Sequence, residues 1–105
     1  MALARSFNET IRNRAQRDSE FRIGLLKEAV ESLLRGELDV GKILLRDYVN
    51  ATVGFERLAV ATHKSPKSLM RMLSAEGNPR ADNLFAVIAH LQKSEGIALD
   101  IRPRS

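Results

Sequence analysis

The chain has 105 residues, enough for one domain with a single modest core. Apolar residues make up 44% and aromatics only 5%, with no Trp, so the chain should fold, and its core must be built mainly from Leu, Ile, Val and Ala, which suits helices. Net charge is +4, there is no Cys for disulfides or thiolate metal sites, no apolar run approaches the ~18 residues of a membrane span, and the N-terminus lacks a signal-peptide apolar core; a cytoplasmic protein without cofactor is the expectation.

In chain order, Ser6-Phe7-Asn8-Glu9 matches a capping box, so the spacing predicts a short helix from there to about Arg17. Phe7, Ile11 and Ala15 form its narrow apolar stripe, and Arg12, Arg14 and Arg17 cover the rest. It can serve as a solvated surface helix or as an arm touching DNA or a partner. Asp18 and Ser19 start a second helix, in which Phe21, Leu25, Leu26, Ala29, Val30, Leu33 and Leu34 recur at core spacing until Gly36 stops it. A third helix is expected from about Leu38 to Thr52, with Val40, Ile43, Leu44, Tyr48 and Ala51 as its apolar stripe and the Tyr48 hydroxyl at the surface. The turn before it, Gly36 to Ile43, nearly spells a phosphate-binding P-loop. That reading fails: Ile43 stands where a Mg²⁺-binding hydroxyl is needed, no strand precedes the run, and Glu37 and Asp39 would repel phosphate.

The next two helices are short. Gly54 can cap the first, Phe55 to Thr62, which carries Phe55, Leu58, Ala59 and Ala61, with Ala59 small enough for a close crossing. Only His63 and Lys64 remain before Ser65, whose hydroxyl can cap the second helix with Pro66 at its first position. Gly77, Asn78 and Pro79 should end it. On a helical wheel Leu69, Met72 and Leu73 share one side, and Lys67, Met70, Arg71 and Ser74 the other. Two helices joined by so short a turn carry the helix-turn-helix signature, and the outward side of the second is basic, as a groove-reading surface should be. Residues 61–80 hold Lys64, Lys67, Arg71 and Arg80 against Glu76, a net of +3, and residues 1–22 a net of +2, while 23–60 sum to −1 and 81–105 to zero. Excess positive charge on the motif itself is the electrostatic footprint of nucleic-acid binding.

A further helix is expected over Arg80 to Ser94, with Leu84, Val87, Ile88 and Leu91 on one face, Phe85 beside it and His90 opposite and exposed; Gly96 ends it. Ile97, Leu99 and Ile101 then alternate with Ala98, Asp100 and Arg102, the period of a half-buried strand. A lone strand needs a partner: the same strand of a second copy in a two-fold dimer, or another protein taking the edge, or else the segment lies along the helices as an extended tail.

Leu58-Ala59, Ser65, Leu69, Arg71, Met72, Asn78-Pro79 and Leu84 resemble the pattern of the Xre/Cro-like helix-turn-helix family. The wider run DYVNATVGFERLAVATHKSPKSLMRMLSAEGNPRADNLFAVIAHLQKSEGIAL resembles a narrower set, the addiction-module antidote proteins, which are the antitoxin half of type II toxin–antitoxin pairs. The resemblance implies a Cro/lambda-repressor-like fold and a DNA-binding repressor, with neutralisation of a cognate mRNA-cleaving toxin as a second expected activity. Two positions depart from the broad pattern: His63 stands where the turn usually has Gly, and Lys64 where it has a small aliphatic. His tolerates positive φ, so the turn survives; Lys64 either disturbs its packing or adds a phosphate contact.

The expected protein is therefore all-α, a five- to six-helix bundle with a short C-terminal strand. Residues 1–36 form a helical extension, 37–96 the DNA-binding core, and 97–105 a strand and tail in which Ile97, Leu99 and Ile101 make a homodimer. The candidate DNA-contacting set is Lys64, Ser65, Lys67, Ser68, Met70, Arg71, Ser74 and Arg80. Arg71 is suited to guanine O6 and N7, and Lys67 to a base or a phosphate. Ser68 and Ser74 suit either, Met70 a thymine methyl, and Lys64 and Arg80 phosphates. Neither His63 nor His90 has a metal-ligand partner at i, i+4, and no nucleophile–base pair stands out, so no enzyme is expected. The alternative function is a protein-interaction module that keeps the helical fold without binding DNA.

Overall fold

The computed structural model describes residues 2–104, with side chains from residue 9 onward. Among them are six helices and no strand: α1 (Ala2–Arg17), α2 (Ser19–Leu34), α3 (Leu38–Ala51), α4 (Phe55–Thr62), α5 (Pro66–Met72) and α6 (Ala81–Glu95). One apolar cluster joins five of them: Leu26 and Ala29 of α2, Leu45, Tyr48 and Val49 of α3, Phe55, Leu58 and Ala59 of α4, Leu69 of α5 with Leu73 just beyond it, and Val87, Ile88 and Leu91 of α6. Ala15 of α1 is also fully buried.

The helix boundaries follow local chemistry. Asp18 caps α2 by accepting the Phe21 N–H at 3.1 Å. Gly54 precedes α4, and Gly96 closes α6 in the left-handed region. The expected start of α1 is wrong. Helix α1 begins at Ala2, so Ser6 lies inside the helix and cannot be its cap. The Phe7 side chain lies outside the described side chains.

The buried face of α3 differs from the expected stripe in its first turn. Val40 and Ile43 are about half exposed, and Gly41, Lys42, Leu45 and Val49 face inward, while Tyr48 and Ala51 are buried as expected and Leu44 packs partly buried against the core. Gly41 lies close against α2: a Cβ there would stand 2.5 Å from Leu33 Cδ2 and 3.3 Å from the Ala29 carbonyl oxygen, so a larger residue would require the Leu33 side chain to shift. Lys42 and Leu45 face inward beside this contact, and Val40 and Ile43 face out.

Tyr48 is a second correction. It is 2% exposed, and its hydroxyl lies inside, donating to Glu95 Oε1 at 2.5 Å. Arg22 Nε donates to both oxygens of the same carboxylate, at 3.2 and 3.0 Å, and Arg22 Nη1 donates to the Ala15 carbonyl at 2.6 Å. This network ties the end of α1 to α2, α3 and the end of α6.

Burial first, then the hydrogen bond to Glu95 and its negative charge, push the Tyr48 phenol well above its ordinary 10.0. The fold thus favours the protonated phenol. Its stabilisation is complete below the unfolded-state value near pH 10 and is lost as pH rises from there toward the folded-state value. Denaturant midpoints should fall steeply above about pH 10, and Tyr48→Phe should flatten that decline while costing about 1 kcal/mol at neutral pH. Tyr48 is the one tyrosine and there is no Trp, so tyrosinate absorbance reports it alone. Tyrosinate appearing at ordinary pH in a folded chain contradicts this burial.

Candidate nucleic-acid interface

Helices α4 and α5 are joined by His63, Lys64 and Ser65. His63 takes the left-handed conformation, φ 57° and ψ 40°, that its place in the turn demands, and the Lys64 N–H donates to the Ala59 carbonyl at 3.0 Å. The Ser65 hydroxyl accepts the Ser68 N–H at 3.0 Å, with Pro66 opening the helix. This is capping chemistry of the expected kind. On α5 and just beyond it, Leu69 and Leu73 are buried and Met72 is half-buried. Lys67, Ser68, Met70 and Arg71 are exposed on the other side.

The flanking residues are more engaged with the protein than the sequence suggested. Lys64 is half-buried, and its Nζ donates to Asn83 Oδ1 at 2.7 Å, pinning the turn to the start of α6. Its aliphatic stem therefore fits the turn, and its ammonium already has one fixed partner. Ser74 donates its hydroxyl to the Arg71 carbonyl at 2.7 Å. Arg80 is exposed and lies 3.3 Å from Asp82 across a solvated ion pair. Such a pair contributes little and leaves the guanidinium free to exchange partners.

Helix α5 ends at Met72, before the expected Gly77-Asn78-Pro79 stop. Leu73 caps it, and the chain turns through Ser74 N–H to Arg71 O (3.1 Å) and Gly77 N–H to Ser74 O (3.0 Å). Gly77 is needed for closeness, not for positive φ: a Cβ there would sit 2.2 Å from the Arg71 carbonyl oxygen. The returning loop thus lies against the last turn of α5. Ser68, Arg71, Glu76, Asn78, Arg80 and Asn83 line an open cleft of about 300 Å³ between them. Two arginines and one glutamate are among its lining residues.

Two residues that shape this surface were missed from the sequence. Asn83 carries no pattern signal. Lys42 does carry one: it sits three residues before Leu45 and six before Tyr48, on the face that packs inward.

The C-terminal strand is not found among the described residues. Residues 97–104 run without regular structure. Ile97 and Leu99 spend the alternation on their own helices, packing against the core, and the Leu99 N–H donates to Gln92 Oε1 at 2.7 Å. Ile101 is 78% exposed. Of the three expected dimer residues, then, only Ile101 stays largely exposed.

Among the described residues no cluster of three or more His, Cys, Asp or Glu could hold a metal ion, and no helix is long and apolar enough to cross a membrane. Comparison with known proteins finds no matching family model, no matching curated protein and no matching solved structure.

Proposed function

We propose that this chain is a sequence-specific DNA-binding transcriptional regulator, a repressor of Cro-like helix-turn-helix type acting as a two-fold dimer. The observation that carries this is the division of α5: Leu69 and Leu73 buried at its back, Lys67, Met70 and Arg71 exposed at its front. A short capped helix with a free basic face can enter a major groove, and Arg71 has the planar fork that addresses guanine O6 and N7 together. Lys67 and Arg80 supply phosphate contacts, which set register. Two copies would place two such helices about one DNA turn apart, roughly 34 Å.

Selection of duplexes from a random-sequence pool tests this. An inverted repeat should emerge, and Arg71→Ala should bind it about 1–3 kcal/mol more weakly while relaxing preference at one base pair. A variant that binds selected and scrambled DNA as the parent does removes Arg71 from base readout. An unrepeated site removes the dimer, and no enrichment at all leaves the protein-interaction module. Neutralisation of a cognate mRNA-cleaving toxin is proposed as a second activity on the resemblance alone; co-purification with the product of an adjacent reading frame tests it.

A further inference from the structure

Lys42 is 6% exposed and belongs to neither the apolar core nor the outward basic face. Its Nζ donates to the Gly77 carbonyl at 2.7 Å and to the Ala75 carbonyl at 3.4 Å, and lies 3.8 Å from the solvent-exposed carboxylate of Asp39. A buried ammonium is costly unless its donors are used, and here two go to the loop that follows α5. The same loop is pressed onto the Arg71 carbonyl by Gly77, where no side chain fits. Held by Lys42 from behind and stopped by α5 in front, the stretch from Ala75 to Gly77 has one place to lie. Glu76 and Gly77 of this stretch line the same cleft as Arg71 and Arg80.

We propose that Lys42 is a positioning residue: it locks this loop and so fixes the spacing between the base-reading and phosphate-contacting arginines. Its own charge is enclosed and touches no DNA. This role rests on the reading of α5 as a DNA-contacting helix, but the lock itself can be measured without DNA.

The test is Lys42→Met in the full chain, which keeps the length of the side chain and removes the donors. Amide exchange at Ser74 and Gly77, whose N–H groups close the turn, should quicken roughly tenfold or more, with amides in the middle of α2 and α3 slowed as in the parent. Affinity for a duplex selected by the parent should fall roughly tenfold with the salt slope unchanged, whereas Arg80→Ala should reduce that slope by about one. Lys42→Arg, which keeps charge and donors, should restore part of both effects. Unchanged exchange at Ser74 and Gly77 overturns the lock. So does exchange that quickens equally throughout α2 and α3, which makes Lys42 a residue of global stability. A reduced salt slope in Lys42→Met overturns the enclosed-charge role and makes Lys42 a phosphate contact. If exchange quickens locally but the parent selects no duplex, the lock stands and the DNA-binding function falls.

Discussion

Glu95→Ala is expected to be among the most destabilising single changes in this chain, at about 3 kcal/mol or somewhat more. The Glu95 side chain is 8% exposed and accepts from Tyr48 and, through both oxygens, from Arg22. Removing it strands a phenol and a guanidinium together. The guanidinium side chain keeps 25% of its surface in water and retains its bond to the Ala15 carbonyl, which places the cost at the low end of the range for breaking an enclosed ion pair. Glu95 is also the last residue of α6, where a negative charge opposes the helix dipole; Arg22 offsets that locally. For a domain of this size the loss corresponds to a fall in Tm of more than about 10 °C.

Three further variants apportion the effect. Tyr48→Phe should cost only about 1 kcal/mol, because the carboxylate keeps Arg22. Arg22→Ala alone and Glu95→Ala alone should each cost more than half of what the double variant costs, since the second change removes a group already stranded. Thermal unfolding of the four proteins gives the coupling. A Glu95→Ala protein within about 0.5 kcal/mol of the parent would mean that the network is not closed in solution.

The helices themselves were legible because their signals are local. The Asp18 and Ser65 caps and the spacing of Leu84, Val87, Ile88 and Leu91 each depend on residues a turn or two apart. The outward face of α5 was legible for the same reason: on seven residues with one capped end, a wheel leaves little freedom. What escaped depends on partners distant in sequence. The inward facing of Lys42 and Leu45 on α3 goes with the close approach of Gly41 to Leu33 of α2. Tyr48 and Glu95 are 47 positions apart. The alternation in Ile97, Leu99 and Ile101 is real, but periodicity does not say which surface it will cover. Here Ile97 and Leu99 pack on the chain's own core, while Ile101 stays largely exposed and lines a groove with Leu34, Phe85 and Ile88. The sequence leaves Lys64 either in the packing of the turn or on a phosphate, and its partner lies 19 positions away: Lys67, Arg71 and Arg80 are exposed, and Lys64 is tied to Asn83.

Leu69→Ala should separate the support of α5 from the DNA contacts proposed for it. Leu69 is fully buried, and truncating such a side chain costs about 2–5 kcal/mol. The loss should be felt first in α5. At seven residues that helix cannot stand alone in water, and Leu69 is its central anchor, with Leu73 just past its end. The amides of Leu69 and Leu73, which donate to the Ser65 and Leu69 carbonyls, should lose protection before those of α2 and α3. Binding to a selected duplex should fall as well, although Leu69 faces away from it. The distinction from Arg71→Ala lies in the remedy. An excluded osmolyte such as TMAO strengthens burial and should restore both the docking of α5 and most of the DNA affinity in Leu69→Ala. It should do nothing for Arg71→Ala, where the helix is in place and the donor is gone. If Leu69→Ala proves as stable as the parent, α5 is held by something other than its apolar side. If TMAO rescues both variants alike, Arg71 supports the fold and does not read a base.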